Sequence, residues 1–393
     1  MSRSSTLQEC DHAVTNLVAD APRPEQKALA ALVCGVVFGK TATLSVASAA
    51  MPGTAKEPSK LRRTQRLLAN PRLDVSRAQR RLLARVLAGH RGRLELLLDA
   101  SSTGITTHYA GTETMCLSFA WHGRCIPLLW HSRRRGKGAT PSWQQVTAEF
   151  IAQLLPIIPA ETQVVLMADR GLTGRPLLVR LQQQGWHYIL RSARTTLINQ
   201  EDSAVQPLSE VVPSPGAPSR FLTDVRIFAP RHKRAKQDRQ VEGQSTWYRV
   251  WSRALTTNVV AVWRAEDKDP WLLLTDLPAT QARCTEYRRR MWQEEGFRDW
   301  KSFGWNWQKS RVRVPERVDR LLLILALATL WMAVLAQHII RRGFRPLLEP
   351  RTTRCYSYFQ LSLHYLTRLL ALDCPIHCSL RFRPEPRAPL KLS

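Results

Sequence analysis

Residues 94–99 read LELLLD and residues 163–169 read QVVLMAD, and these two short runs decide the fold. Each is apolar, has the length of a strand, and ends in an aspartate, Asp99 or Asp169. Short apolar runs of this kind are typical of strands buried on both faces of a sheet. For either aspartate alone, capping of the next turn is the commoner role. The two runs together predict an α/β fold with acidic side chains at the ends of buried strands.

The pattern between these runs and beyond them predicts the order of elements. Two further strands, TMCLSFAWH (114–122) and RCIPLLW (124–130), follow the first run and flank a short polar turn. A helix over 142–155, the strand that ends at Asp169, a helix over 175–184 and the strand HYILR (187–191) complete the series. The order β-β-β-α-β-α-β is compatible with a ribonuclease-H-like core. Such a core would bring Asp99 and Asp169 to one metal cluster.

A third acidic residue lies in the stretch YRRRMWQEEGFRDWK (287–301). If this stretch is one helix, four of its polar residues fall within about 60° of one another on one face. They are Tyr287, Arg290, Glu294 and Lys301. A solvated basic helix with incidental ion pairs is the alternative, because Arg290 and Glu294 also stand at i,i+4. With Asp99 and Asp169, however, Glu294 would complete the carboxylate set that a two-magnesium phosphoryl-transfer site needs.

These residues resemble the signature of a known family, the bacterial insertion-sequence transposases with a DDE triad (the insertion sequence 4 family). The pattern Y-x2-R-x3-E-x6-K is present without a gap, and the three acids come in the family's order. The resemblance runs from about residue 25 to about residue 340. One departure is that Met291 follows Arg290, whereas some members have tryptophan there and this chain has Trp292 next.

The resemblance implies roles for particular residues. Asp99, Asp169 and Glu294 are expected to be catalytic and to bind two Mg²⁺ ions, with Mn²⁺ able to substitute. Phosphates beside the cut are expected to contact Tyr287, Arg290 and Lys301. The segment WLLLT (271–275) resembles the strand that carries a base-stacking tryptophan in some members, which suggests that role for Trp271; a core strand position is the alternative.

The function implied by the resemblance is DNA transposition. The chain is expected to bind the terminal inverted repeats of its insertion sequence and its target, both as double-stranded DNA, and to cleave and transfer strands. Joining two ends requires a synaptic homodimer. The alternatives from other classes are a ribonuclease-H-like nuclease, a DNA-binding protein without catalysis, and a membrane-associated basic protein.

The charge of the chain agrees with a polyanionic partner. Its 58 Lys and Arg against 31 Asp and Glu give a formal net charge of +27. Such a chain binds polyanions in a salt-dependent way. The basic residues cluster at 133–137, 231–236 and 288–290. Membrane surfaces are also anionic, so charge alone does not choose between DNA and a membrane.

The run LLLILALATLWMAVLA (321–336) is the main signal for a membrane. It approaches the roughly 20 apolar residues that cross a bilayer. A helix that is apolar all round is also typical of the core of a large domain. Arginines flank the run on both sides and no second span exists, so we predict a core helix packed beneath the catalytic sheet and no membrane partner.

The remaining pattern divides the chain into regions. Residues 1–90 are predicted to be a helical DNA-binding domain, since its helices carry several arginines, Arg62 and Arg66 among them; an ordinary helical packing domain is the alternative. Residues 91–310 are predicted to be the catalytic core with a β-rich insertion at about 195–278, and residues 311–393 a helical region with a mobile tail. The N-terminus lacks the apolar run of a signal peptide. The eight cysteines of the chain lack disulfide spacing, which fits a reducing cytoplasm. The resemblance to the insertion-sequence transposases implies that this cytoplasm is bacterial and that the protein is associated with the nucleoid.

Overall fold

The computed structural model is a mixed α/β protein, and it describes residues 3–104, 111–136, 139–200, 203–228, 254–376 and 380–383. The described residues form two compact units. The first contains residues 3–91, 99–160 and 291–383, and the second contains residues 92–98 and 161–290.

Five helices form the N-terminal part of the first unit. They are α1 (Arg3–Thr15), α2 (Arg23–Gly39), α3 (Leu44–Ala49), α4 (Glu57–Ala69) and α5 (Val75–Leu87). α2 is buried along most of its length, and α3 packs directly against it. The close approach depends on Gly35, because a Cβ atom there would lie 2.3 Å from the carbonyl oxygen of Ala47. The helical prediction for this region is confirmed, while its DNA role stays a prediction.

The first unit also contains a β-hairpin. β1 (Arg93–Thr103) ends in this unit, and it is followed by β2 (Thr112–Trp121) and β3 (Arg124–Arg134), in the strand order β3-β2-β1. β2 and β3 are antiparallel. The turn between them places His122 and Gly123 at φ of 41° and 80°, as tight hairpin turns require. α6 (Trp143–Leu154) follows and begins with a capping box of Ser142 and Gln145.

A long apolar helix is the core of the first unit. α10 (Pro315–Arg341) packs against β3, α2 and the C-terminal helix α11 (Tyr358–Ala371). It is the one helix among the described residues that is long and apolar enough to cross a membrane. The structure buries 83% of its most apolar window. This burial agrees with the predicted core helix.

The second unit is built around a sheet of eight strands. β1 begins here and is followed by β4 (Gln163–Ala168), α7 (Arg175–Gln183) and β5 (His187–Arg191). The remaining strands are β6 (Leu197–Asn199), β7 (Gln206–Pro207), β8 (Arg220–Phe228), β9 (Leu255–Val262) and β10 (Trp271–Thr275). Their order is β1-β4-β5-β10-β9-β8-β6-β7. β1, β4 and β5 are parallel, whereas β10 is antiparallel to β5.

The predicted order β-β-β-α-β-α-β is confirmed for residues 93–191. The stretch predicted to be a β-rich insertion contains β6 to β10 and, in its described part, one short 3₁₀ helix at Leu208–Glu210. The β-rich prediction is therefore confirmed for the described part of this stretch. The basic cluster at 231–236 lies outside the described residues.

The stretch 287–301 is not one continuous helix, and that prediction is wrong. α8 (Ala282–Tyr287) is followed by a 3₁₀ turn at Arg288–Arg290 and then by α9 (Met291–Lys301). A 3₁₀ turn has three residues per turn, so it breaks the angular register on which the single polar face was based. Tyr287 and Arg290 belong to the second unit, and Glu294 and Lys301 to the first.

Candidate active site

Two of the predicted catalytic acids follow paired strands. In the second unit β1 and β4 are parallel neighbours, and their last paired residues are Leu98 and Ala168. Asp99 and Asp169 are the next residues along the two strands. The apolar runs before them are buried because β1 and β4 are inner strands of the sheet. The predicted placement at the carboxyl end of a buried strand is correct for Asp169, because β4 ends at Ala168. For Asp99 it is wrong, because β1 continues to Thr103 and Asp99 directly follows only the part of β1 that pairs with β4.

Asp169 has an available carboxylate oxygen in the second unit. Its backbone carbonyl accepts hydrogen bonds from Leu172 N at 3.0 Å and from Thr173 Oγ1 at 3.2 Å. Its side-chain Oδ1 is buried and accepts no hydrogen bond from the residues that the structure describes. The nearest cation is Arg191, with Nη1 4.0 Å from Oδ1. The backbone thus stabilises the turn, and the carboxylate is left available to a cation.

Arg191 was missed by the sequence interpretation. It ends β5, in which Leu190 pairs with Ala168, so Arg191 and Asp169 each follow a paired residue of neighbouring parallel strands. The sequence feature that could have identified it was its position as the last residue of the predicted strand HYILR. The Arg191 guanidinium is therefore the positive charge that strand register brings next to Asp169.

Asp99 and Lys301 interact within the first unit. The Asp99 Oδ1 atom accepts a hydrogen bond from the backbone N–H of Ala100 at 2.8 Å. The Lys301 ammonium donates to the carbonyl oxygen of Ser102 at 2.8 Å. Burial lowers the pKa of Lys301, and the nearby Asp99 carboxylate opposes that change. Lys301 therefore places a positive charge beside the end of β1.

Three other predicted residues form a cluster in the second unit. Tyr287 is 4% exposed and donates its hydroxyl to the carbonyl oxygen of Ala168 at 3.5 Å. The Trp271 ring packs edge-on against Tyr287, with 5.5 Å between ring centroids. The guanidinium of Arg290, which is also buried, lies 5.9 Å from the Tyr287 ring centroid. The cluster supports the backbone directly before Asp169, and its predicted DNA contacts stay predictions.

Glu294 lies in the first turn of α9, in the first unit. An ion pair between Arg124 at the start of β3 and Asp299 holds this helix in place, with 2.7 Å between Nε and Oδ2. Burial raises the pKa of Asp299 to about 6, although the Arg124 charge lowers it. Gly296 lies so close to β3 that a Cβ atom there would be 2.4 Å from the sulfur of Cys125. α9 is therefore packed tightly against the start of β3.

A buried network of charges also escaped the sequence interpretation. Within the second unit Glu95, which is 0% exposed, pairs with Arg289 and, at 3.0 Å, with Arg93. Arg93 also pairs with Glu286 at 2.7 Å, and Glu286 with Arg283 at 3.0 Å. Arg93 and Glu95 occupy alternate positions of an otherwise apolar strand, which was the available signal. The network fastens the 3₁₀ turn to β1 and explains why the helix is interrupted there.

The described residues contain no group of three or more His, Cys, Asp or Glu side chains arranged to hold a metal ion. The predicted cluster of three carboxylates therefore stays a prediction. The chemistry of the individual donors does fit a hard divalent cation, because carboxylate oxygens are the ligands that Mg²⁺ prefers. The buried Oδ1 of Asp169, which lacks a hydrogen-bond partner in the described chain, is the clearest such donor.

Comparison with known proteins gives one family match. Residues 142–331, just under half of the chain, match the family model described as "Transposase DDE domain". The matched range contains Asp169 and Glu294 and begins after Asp99. No curated protein matches the chain.

Seven chains from solved structures match. One comes from the cryo-EM structure of a piggyBac transposase synaptic complex with hairpin DNA, at 10% sequence identity and a TM-score of 0.40. That match covers 94% of this chain and 80% of the other. This chain is a mixed α/β protein, and the family match over its residues 142–331 supports a DDE transposase.

Proposed function

We propose that this chain is a DNA transposase that binds the ends of its insertion sequence and cuts and joins DNA strands there. The observation that carries the proposal is the register of β1 and β4, whose last paired residues directly precede Asp99 and Asp169. The match to the transposase domain over residues that include Asp169 and Glu294 supports it. The uninterrupted Y-R-E-K spacing from Tyr287 to Lys301 agrees with the insertion sequence 4 family.

The fold that we propose for the core is ribonuclease-H-like. The strand order β3-β2-β1 in the first unit and β1-β4-β5 in the second supports this assignment, together with the element order along the chain. In such a fold the triad acids come from β1, β4 and a later helix. Here β1, β4 and α9 would supply Asp99, Asp169 and Glu294.

The three carboxylates would hold two Mg²⁺ ions, which Mn²⁺ could replace. When bound, such ions supply an activated water or 3′-hydroxyl and stabilise the leaving oxygen. The chain itself would supply the acceptor oxygens and keep them in position. Arg191 would place a positive charge 4.0 Å from the Asp169 carboxylate, and Tyr287 would hold the preceding backbone through Ala168. Lys301 would bring a positive charge to the end of β1, where a phosphate could bind.

The partners that follow from this function are double-stranded DNA at the terminal repeats and at the target, and a second copy of the chain in a synaptic dimer. Trp271, which packs on Tyr287, would be the candidate for stacking on a flipped base. The site of action would be the bacterial cytoplasm, at the nucleoid.

The experiment is cleavage of a plasmid that carries the gene's native flanks, with Mg²⁺ or with EDTA. The test variants are Asp99→Asn, Asp169→Asn and Glu294→Gln, which keep side-chain volume and remove one charge each. The matched controls are Glu161→Gln and Glu210→Gln, because both residues are exposed carboxylates of the second unit. We expect metal-dependent cuts at defined ends in the wild type and in both controls, and none in the three test variants.

Three results would count against the proposal. Cutting that persists in EDTA would exclude the metal-dependent mechanism. Metal-dependent cutting at random positions would favour a nuclease. Binding of the flanks by all variants without any cutting would favour a DNA-binding protein without catalysis.

A further inference from the structure

A groove of about 880 Å³ lies in the first unit, and none of the predicted catalytic acids is among its lining residues. One wall is α4, and the other is the irregular segment 310–314 with the first turn of α10. Five arginines line it: Arg62, Arg66, Arg311, Arg313 and Arg317. No aspartate or glutamate and no aromatic residue lines it.

Four of the five groove arginines have no acidic partner within the described chain. All five arginines are exposed. Within the part of the chain that the structure describes, no carboxylate forms a salt bridge with Arg62, Arg66, Arg311 or Arg317. Gathering like charges into one concavity is unfavourable unless an anion binds there. The groove is therefore suited to a polyanionic partner.

Both walls of the groove are held in place. α4 buries Leu67 and Leu68 against the unit, which turns Arg62, Gln65 and Arg66 outward at helical spacing. Arg320 of α10 donates to the carbonyl oxygen of Leu68 at 3.1 Å, and this bond ties the end of α4 to α10. The arginines thus project from a fixed frame, which lowers the entropic cost of binding.

The segment that forms the opposite wall is fixed by its backbone. Thr112 Oγ1 donates to the carbonyl oxygen of Arg313 at 2.7 Å. The hydroxyl of Ser310 accepts from Val312 N at 3.3 Å. Arg311 adopts a left-handed backbone with φ of 57°. A non-glycine residue in that region is uncommon. The hydrogen bonds of Ser310 and Arg313 on either side hold the backbone in this turn.

We propose that this groove binds the sugar-phosphate backbone of double-stranded DNA. The choice of DNA as the polyanion rests on the proposed function. Arg62 and Arg66 stand one helical turn apart, about 6 Å, and the same length of duplex axis carries about three to four phosphate charges. One small anion would neutralise only part of the groove. Guanidinium groups bind phosphates through paired hydrogen bonds.

The contact is independent of DNA sequence. Besides the arginines, the polar side chains of the lining are those of Gln65 and Ser310. Base reading usually needs several amide, carboxylate or arginine groups at base edges, whereas backbone contacts need positive charge. The groove would therefore position the duplex, and the strength of its binding would depend strongly on salt.

The test measures the salt dependence of DNA binding. One variant combines Arg62→Gln, Arg66→Gln, Arg311→Gln and Arg317→Gln. The matched control combines Arg341→Gln, Arg342→Gln, Arg351→Gln and Arg354→Gln, four exposed arginines of the same unit that do not line the groove. The probes are labelled duplexes of about 40 base pairs, one from the native flank and one scrambled, and phosphatidylserine vesicles. Circular dichroism shows whether each variant is folded.

We expect the slope of log K against log salt to fall by about 3.6 in the groove variant, since each lost phosphate contact removes about 0.9. The loss of affinity between 50 and 200 mM salt would then be about 150-fold smaller than in the wild type. Both duplexes should show the same change, and the control variant should change much less. If the combined variant fails to fold, Arg66→Gln and Arg317→Gln alone should each lower the slope by about 0.9.

Equal slopes in the groove and control variants would overturn the inference, and so would loss of vesicle binding with DNA binding intact. This failure differs from failure of the proposed function. A chain that binds duplex through the groove and never cuts its flanks would retain the groove and lose the transposase assignment. If the chain cuts its flanks but the groove variant binds DNA with the same salt dependence as the wild type, the transposase assignment would stand and the groove inference would fail.

Discussion

Replacement of Asp319 by asparagine should make stability less dependent on pH. Asp319 lies on α10, and its Oδ1 atom is buried without a hydrogen-bond partner in the described chain. Burial raises the pKa of Asp319 to about 7, although hydrogen bonds from Ser132 lower it. The ordinary value is 3.8. The folded state therefore favours the protonated, neutral carboxyl.

The direction of the effect follows from the two pKa values. Below about pH 4 the carboxyl is protonated in both states and destabilises neither. As the pH rises from 4 to 7 the unfolded chain releases its proton first, so folding becomes progressively less favourable. Above pH 7 the penalty is complete. A tenfold change in proton affinity is worth about 1.4 kcal/mol, so the full penalty is about 4 kcal/mol.

Asp319→Asn removes this penalty and adds a cost of about 1–3 kcal/mol for a buried amide that lacks a complete set of partners. The cost does not depend on pH. We therefore expect the variant to be less stable than the wild type at pH 4 and more stable at pH 8, by about 2 kcal/mol each way.

The assay is urea unfolding followed by tryptophan fluorescence at several pH values between 4 and 8. Glu57→Gln is the control, because Glu57 is an exposed carboxylate of the same unit and is not among the groups that shift the pKa of Asp319. Its difference from the wild type should stay within about 0.5 kcal/mol across the range. If the difference in unfolding free energy between Asp319→Asn and the wild type is equally independent of pH, the reasoning is refuted. Asp319 would then titrate alike in the folded and unfolded states.

Two further predictions concern the packing around the candidate active site. Glu95→Gln should lower the free energy of unfolding by about 3 kcal/mol, since two arginines lose a buried partner while Arg93 keeps Glu286; a loss no larger than that of the exposed Glu210→Gln would contradict the network. Gly296→Ala should cost about 1–3 kcal/mol because its Cβ would meet the Cys125 sulfur. Gly171→Ala, which meets nothing within 4 Å, is its control, and equal urea midpoints for the two variants would show that α9 can shift.

Much of the fold was predictable because it depends on local pattern. The apolar runs that end at Asp99 and Asp169 are strands because their length and composition suit no exposed element. The same patterns predicted the alternation of strands and helices through β5. The apolar helix at 315–341 was predictable in type, and only its burial against β3 and α2 shows that it is a core helix.

The interrupted helix at 288–290 was not predictable in the same way. Helical spacing described the residues from Tyr287 to Lys301 equally well as one continuous element. The 3₁₀ turn forms where Arg289 pairs with Glu95, a residue 194 positions earlier in the chain. An ion pair across that separation exists only after β1 has been placed in its sheet.

The sequence by itself determined the order of strands and helices through β5, the apolar runs that precede Asp99 and Asp169, and the large positive charge of the chain. Only the tertiary structure decided that Arg191 lies beside Asp169, that the Oδ1 atom of Asp319 is buried, and that the arginines of α4 and of the segment 310–317 line one groove. The physical reason is the separation along the sequence over which each effect acts. Periodicity and composition act between residues a few positions apart, whereas the partner of a charge is set by strand register and helix packing, which join distant parts of the chain.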